Sequence, residues 1–207
     1  KTLLLTLLSL LFAMIIGMIF ALMNVGRNRV LNCIGTIYVD AVRGVPLIVL
    51  AYFIYFGVPS GMKMMGATDF RLSALQAGTI ALAMNCGAYM AEIIRAGIQS
   101  VDPGQMEAAR SLGLPYWRAM VRVVLPQAIR TMIPSIINQF IITLKDTSIL
   151  SVIGLAEVVN RAKQYVGSTF SFFATYVYVG ALYLVVISLL MVLSRRIEKR
   201  MSYDRKG

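Results

Sequence analysis

The residue types that carry out most nucleophilic, acid–base and metal chemistry are scarce in this chain. Its 207 residues include no histidine, so imidazole metal sites and triads with a histidine base are excluded. Cys33 and Cys86 both lie in apolar stretches, which favours small buried side chains over a disulfide or a metal pair. A membrane-embedded enzyme would need paired catalytic groups, and the aspartates form no obvious intramembrane pair: Asp40, Asp69, Asp102, Asp146 and Asp204.

Several charged side chains nevertheless fall inside or beside apolar stretches. A charge in a bilayer is costly, so it usually forms a pair or lines a water-filled path. Near the ends of helices, such charges also fix helix packing or extend to the interface. Lys145 and Asp146 are neighbours that can neutralise each other. We therefore assign six residues to gates or to packing ion pairs: Asp40, Arg43, Glu92, Arg95, Lys145 and Asp146.

Composition indicates that the elements holding these residues are membrane-spanning helices. Hydrophobic residues make up 58% of the chain and charged residues 14%, and the mean hydropathy is +0.76. A soluble domain of this size cannot bury so much apolar surface in one core, whereas a helix crossing a bilayer needs about 20 mostly apolar residues. The sequence predicts a single all-α transmembrane domain over 1–207, with five spans at about 3–23, 30–58, 72–98, 128–159 (with a break near 145–148) and 170–193.

The positions of the basic residues predict the orientation of the spans. The net charge is +11, and most of the 20 Lys and Arg residues lie in the 26–29 turn, in the region 95–130 and after residue 194. Because positive residues concentrate on the cytoplasmic side, these three regions are predicted to be cytoplasmic and the N-terminus outside. The basic residues then act as topology signals and contacts to anionic lipid, and a nucleic-acid partner is not predicted.

The segment 99–127 is too polar to span and carries the signals of two short helices. Asp102 can cap the first helix, Pro103 suits its first position, and Gln105 completes a capping box. Gly113 suits the exit from this helix, and Pro115 starts the second. A short capped helix beside a membrane can be an ordinary amphipathic loop helix or a knob that another protein grips.

The order of motifs resembles one family of transport proteins. Glu107-Ala108-Ala109, Gly113 and Val123-x-Leu125-Pro126 have the spacing of the EAA motif of ABC importer permeases, with Val123 replacing the usual isoleucine. Four further elements resemble those of the polar amino-acid uptake family, with Val45 replacing a threonine in the first: Tyr38–Leu47, Asn85–Arg95, Leu125–Ala128 and Lys145–Ser148. Together these elements cover most of the chain, in order.

The resemblance implies a five-helix type I importer permease of the cytoplasmic (inner) membrane of a prokaryote. Such a permease dimerises with a second copy or a related chain, docks on two ATPase subunits and receives polar amino acids from an external binding protein. In this family the helix around Glu107 sits in a groove of the ATPase, so Glu107, Ala108, Ala109, Gly113, Leu125 and Pro126 are the implied coupling residues. The chain has no Gly-Lys dipeptide of a P-loop, so we expect ATP and Mg²⁺ on the separate ATPase and no cofactor here.

An amino-acid substrate also suggests which polar residues line its path. A zwitterion needs an acceptor for its ammonium group and donors for its carboxylate group. Glu157 or Asp146 are candidate acceptors, and Asn85, Tyr89, Asn138 and Thr147 are candidate donors, with Gln139 beside them. Each of these residues can equally serve in hydrogen bonds between helices. The competing function is an ion-coupled carrier or passive channel for small solutes, which has no use for a capped docking helix.

Overall fold

The computed structural model describes residues 2–26, 28–66 and 70–203, with side chains described up to residue 199. Six charged residues used above lie outside the described residues: Lys1, Arg27, Asp69, Asp204, Arg205 and Lys206. The described ranges form ten α-helices with three tighter or wider helical segments between them. These are α1 (Thr2–Val25), α2 (Arg29–Gly44), α3 (Leu47–Tyr52), a π-helical turn (Phe53–Gly57), α4 (Val58–Met64), α5 (Ala74–Gln99), α6 (Pro103–Ser111), α7 (Tyr116–Ala119), a second π-helical turn (Met120–Val124), α8 (Leu125–Asp146), a 3-10 helix (Thr147–Ile153), α9 (Val158–Thr169) and α10 (Phe172–Tyr203).

Five helical segments of the described chain are long and apolar enough to cross a membrane: Thr2–Val25, Leu47–Met64, Ala74–Gln99, Tyr116–Ile153 and Phe172–Lys199. The number agrees with the sequence prediction, and the boundaries differ most at the second and fourth spans, the fourth ending at Ile153 and not at 159. The second predicted span is divided at Val45-Pro46 into α2 and the α3–α4 segment. Helix 116–146 begins before residue 128, where the fourth span was predicted to start, so the second short helix of the 99–127 segment continues directly into that span.

The most extensive packing among the described helices is between α1 and α5, through small side chains. On α1, Ser9, Ala13, Gly17 and Ala21 recur every fourth residue and are all buried. A Cβ atom at Gly17 would lie 2.5 Å from the Cβ atom of Met90, and one at Gly87 would lie 2.7 Å from the side chain of Ile16. Within a bilayer, helices gain little from the hydrophobic effect, so small residues that let backbones approach are the usual basis of tight association.

Contacts along α5 fix the directions of its neighbours. Ser9 donates to the carbonyl of Thr79, and Gly17 lies against Met90, so α1 and α5 run in the same direction. Gly97 lies against Met132, whereas Gly78 lies against Leu150, so the α8 segment runs in the opposite direction. Between α1 and α5 the chain crosses the membrane once, which makes these two helices parallel. Between α5 and α8 it does not cross, which makes them antiparallel.

Each π-helical turn precedes a proline by the same distance. The Phe53–Gly57 turn is followed by Pro59 and the Met120–Val124 turn by Pro126, in each case two residues after the turn ends. Proline has no backbone N–H to donate, and its ring clashes with the carbonyl of residue i−4 in a regular α-helix. One wide turn relieves that clash, which explains how both segments stay helical through a proline.

Candidate functional site

A polar cavity of about 450 Å³ opens between α2, α5 and α8. Its volume lies within the roughly 300–1,000 Å³ typical of small-molecule sites. One residue comes from α2, three from α5 and four from α8: Arg43; Tyr89, Glu92 and Ile93; and Pro134, Ser135, Asn138 and Gln139. The cavity therefore combines a guanidinium, a carboxylate, a phenol, a hydroxyl and two amides, although the chain as a whole is mostly apolar.

Arg43 extends across the cavity to the aromatic face of Tyr89. Its guanidinium carbon lies 5.3 Å from the centre of the Tyr89 ring, within the range of a cation–π contact. In the described part of the chain, no carboxylate pairs with this guanidinium and no acceptor takes a hydrogen bond from it. The in-plane N–H groups of Arg43 thus remain available to a ligand.

Glu92 lines the cavity one turn after Tyr89 on α5 and is held by Arg95, one turn further along the same helix. The Arg95 Nε atom donates to Oε2 of Glu92 at 3.0 Å, the other guanidinium arm donates to Oε1, and a third N–H bonds Gln99. Among the described residues this is the only ion pair within 4.0 Å. Glu92 and Arg95, two of the residues assigned to gates or packing ion pairs, thus form an ion pair within one helix.

The remaining predicted charges do not pair. Asp40 is exposed on α2, and Lys145 is exposed at the end of α8 beside the half-buried Asp146, with no contact short enough for an ion pair. Lys145 and Asp146 are neighbours in sequence but make no direct ion pair, because neighbouring residues on a helix point in different directions.

The structure places only part of the predicted substrate path in the cavity. Tyr89 and Asn138 line it, whereas Asn85 is buried one turn before Tyr89. Thr147 is fully buried and donates to the carbonyl of Leu144 at 2.7 Å. Glu157 caps α9, with one carboxylate oxygen accepting from the backbone N–H of Val159 at 2.8 Å and the other from Asn160.

Sequence reasoning missed Pro134 and Ser135 and gave Arg43 and Glu92 no role in contacting a ligand. A usable signal was present for Ser135, since Ser135, Asn138 and Gln139 recur at i, i+3 and i+4 on α8 and must share a face. No comparable signal exists for Arg43. It meets Tyr89 only through packing between two helices that lie far apart in sequence.

The second candidate site is α6, the short helix predicted from the 102–113 segment. The Asp102 side chain accepts from the backbone N–H of Gly104 at 2.7 Å, and Pro103 occupies the first turn, as predicted. The predicted capping box does not form, because Gln105 instead accepts a hydrogen bond from Gln127 at the start of α8. That 3.2 Å contact ties α6 to the base of a membrane span.

The exit from α6 requires glycine. Gly113 has φ +84°, in the left-handed region that disfavours residues with a Cβ atom. Its N–H bonds the carbonyl of Arg110, and the N–H of Leu114 bonds the carbonyl of Ala109, which together form a Schellman motif. The positive φ expected for Gly113 is confirmed, and the motif stops the helix sharply after nine residues.

Only some of the implied coupling residues face outward. Glu107 and Ala108 are exposed, and beyond them Leu112 is 85% exposed and Trp117 is 62% exposed. Ala109 is buried and faces the rest of the chain, while Leu125 packs against the core cluster at the base of α5 and α8. Pro126 is exposed at the first turn of α8. The projecting surface is therefore Glu107, Ala108 and Leu112, and Ala109 and Leu125 anchor it.

An all-α protein with five membrane-crossing segments, a polar cavity between them and a capped helix projecting at one end has the architecture of a transporter subunit. The model of the family described as "Binding-protein-dependent transport system inner membrane component" matches residues 13–203, and the chain belongs to this family. It is thus a multi-pass membrane permease subunit, which favours an ATP-driven importer over an ion-coupled carrier or passive channel.

Individual relatives agree with this assignment over nearly the whole chain. The chain is 39% identical to the "Probable glutamine ABC transporter permease protein GlnM" of Bacillus subtilis (strain 168), over 97% of this chain and 89% of that protein. It is 34% identical to the arginine transport system permease protein ArtQ of the same organism, with the same coverage.

Solved structures show the same fold. A crystal structure of an amino acid ABC transporter with histidines matches with a TM-score of 0.88 and 39% identity, over 96% of this chain and 90% of that one. The MetNI methionine ABC transporter in an inward-facing conformation matches with a TM-score of 0.80 over 97% and 92%, at 21% identity, and so supports the fold alone.

Proposed function

We propose that this chain is the membrane-spanning subunit of an ATP-driven importer of polar amino acids in the inner membrane of a prokaryote. The substrate class is supported by relatives named for glutamine and arginine and by a similar structure described as an amino acid transporter. The observation that carries the mechanism is α6: a helix capped at both ends, exposing Glu107 and Leu112 and bonded through Gln105 to α8.

In this proposal α6 is the contact for a separate ATPase, and that ATPase holds ATP and Mg²⁺. Closure of the ATPase pulls α6, and the Gln105–Gln127 hydrogen bond and the continuous helix from residue 116 carry the displacement into α8. Because α8 forms one wall of the cavity, its movement changes access to the cavity from one side of the membrane to the other. An external binding protein delivers substrate, and a second permease chain completes the path. Tyr89 and Asn138 line that path, while Asn85 and Thr147 pack behind it.

The decisive test combines charge reversal at Glu107 with transport. Glu107 is exposed, so Glu107→Lys leaves the packing of the spans intact and disturbs only the docking surface. We expect the variant to be inserted in normal amounts but to retain less ATPase on purification and to lose transport in proteoliposomes. Arg110→Gln, another exposed change on the same helix, controls for altered charge on α6. Wild-type transport and full ATPase retention by Glu107→Lys would refute the coupling role.

Gly113 allows a graded version of the same test. A β-branched side chain at φ +84° should cost roughly 1–2 kcal/mol, whereas asparagine tolerates this conformation better. Gly113→Val should therefore uncouple ATP hydrolysis from transport more than Gly113→Asn, with both proteins folded. Equal activity of the two variants would show that the turn geometry is not what transmits the motion.

The proposed orientation places α6 in the cytoplasm and the N-terminus outside. Because Cys33 is exposed, single cysteines are introduced after both native cysteines are replaced. Cysteines at Lys63 and Lys163 should react with an impermeant thiol reagent in intact cells, and one at Trp117 only after the membrane is opened. Labelling of the Trp117 position in intact cells would reverse the orientation.

A further inference from the structure

We propose that the cavity itself binds a neutral zwitterionic amino acid, with the α-carboxylate on Arg43 and the α-ammonium on Glu92, and that it disfavours cationic side chains. The inference rests on the proposed function, since it names the substrate class of that same cavity. It assigns ligand contact to Arg43 and Glu92, whose positions in the sequence indicate only gating or packing.

The free guanidinium of Arg43 is the first observation. An arginine packed against membrane-spanning helices normally finds a carboxylate or backbone carbonyls. The guanidinium of Arg43 instead lies over the ring of Tyr89, and its N–H groups have no acceptor among the described residues. A guanidinium is a planar fork that binds a carboxylate through two parallel hydrogen bonds, so these N–H groups suit the carboxylate of a ligand.

Glu92 supplies the complementary half of the site. Each of its oxygens accepts one hydrogen bond from Arg95, which leaves one lone pair on each for another donor. The Glu92 side chain is 31% exposed and lines the cavity, so an ammonium group can reach these lone pairs. Arg95 holds the carboxylate in place and does not itself line the cavity.

The charge balance of the cavity then favours neutral substrate side chains. The single carboxylate of Glu92 faces two guanidinium groups, those of Arg95 and Arg43, so these three residues carry one net positive charge. A zwitterion with a neutral side chain places its carboxylate near Arg43 and its ammonium near Glu92. Ser135, Asn138 and Gln139 offer hydroxyl and amide groups to an amide side chain. A cationic side chain finds no second free carboxylate on the cavity wall and is repelled by Arg43.

The test measures direct binding to the assembled permease–ATPase complex without the binding protein, so that selectivity of the cavity is separated from that of the delivery protein. Radiolabelled L-glutamine is the probe, with L-arginine and the α-amide of L-glutamine as competitors. The wild-type complex should bind both competitors at least about tenfold more weakly than glutamine, since a hydrogen bond to a charged partner contributes roughly that much. This comparison needs no mutant and so does not depend on folding of a variant.

Arg43→Gln should weaken glutamine binding about tenfold or more and abolish the distinction between glutamine and its α-amide. Arg43→Lys keeps the charge but not the planar fork, so its affinity should fall between those of the wild type and Arg43→Gln. Arg196→Gln, an exposed change near the end of α10, should bind glutamine like the wild type.

Three results would overturn the inference: no glutamine binding by the wild-type complex, equal binding of glutamine and either competitor, or unchanged binding by Arg43→Gln. None of these results contradicts the proposed function, which fails only if the complete importer, with its binding protein, transports no polar amino acid. A complex that transports glutamine without binding it directly would therefore refute the proposed binding site but not the proposed importer function.

Discussion

The two sides of α5 meet their neighbours in opposite ways. Towards α1, Gly87, Met90 and Ala91 pack so closely that an added Cβ atom at Gly17 or Gly87 has no room. About 200° around the same helix, Tyr89 and Glu92 face an open polar cavity. One helix thus carries a tightly packed face and an accessible face within a single turn.

This difference indicates which parts of the molecule move together. Close packing of small residues has one preferred arrangement, and changing it sacrifices many contacts at once. A cavity wall loses few contacts when the opposite helix shifts. We therefore expect α1 and α5 to move as one body, and the α2 and α8 walls to change position during transport.

Gly17→Val should have the largest effect, because it tests the packed face directly. Its Cβ atom would lie 2.5 Å from Met90 Cβ and 3.1 Å from the Ala91 backbone nitrogen, and the backbone cannot yield as a flexible side chain can. Overpacking of this kind costs roughly 1–3 kcal/mol or more. The variant should give little monodisperse complex and a lower midpoint of thermal unfolding.

Gly180→Val is the matched control for this substitution. It places the same β-branched residue inside a membrane-crossing helix, where nothing lies within 4 Å of the new Cβ atom. We expect near-normal yield. Equal losses at Gly17 and Gly180 would mean that valine destabilises any of these helices, and that the α1–α5 contact is not special.

The sequence predicts those features of the molecule that depend on near neighbours in the chain. The five spans follow from local hydropathy, and the ends of α6 follow from Asp102, Pro103 and Gly113, whose effects reach only a few residues. The break of the second span at Pro46 also follows from local chemistry.

Features that depend on tertiary packing were predicted less well. Gln105 was expected to cap its own helix but bonds Gln127, which lies 22 residues away. Glu157, a candidate acceptor for a substrate ammonium, also caps the start of α9 through both of its oxygens, a local role that was not predicted. Arg43 and Tyr89 are brought together only by the crossing of α2 and α5. Such contacts are set by how helices pack, which a single sequence does not encode in any local pattern.

Tyr89→Ala should have an intermediate effect, on transport more than on folding. The change removes the ring that orients Arg43, while Tyr89 contributes little to the packed face because it points into the cavity. We expect transport in proteoliposomes to fall about tenfold, as for loss of one oriented charged contact, with normal yield of the complex. Tyr89→Phe keeps the ring and should transport nearly as well as the wild type. If the phenylalanine variant is as impaired as the alanine variant, the hydroxyl group matters and not the ring.

Cys86→Ser should have the smallest effect, although Cys86 lies at the boundary between the two faces of α5. On one side Cys86 packs with Ala13 and Met90, and on the other its sulfur accepts from Thr143 at 3.3 Å and from Gln139 at 3.8 Å. Serine preserves an acceptor at this position, and hydrogen bonds between membrane helices contribute only about 0.6 kcal/mol on average. Thr143 also donates to the carbonyl of Gln139 at 2.9 Å, so it keeps a partner whatever occupies residue 86. We therefore expect a change in stability below about 1 kcal/mol, checked by the thermal midpoint, together with essentially normal transport of the substrate. A large loss of transport by a stably folded Cys86→Ser complex would show that these buried polar groups belong to the transport path, and that the packed face of α5 ends before residue 86.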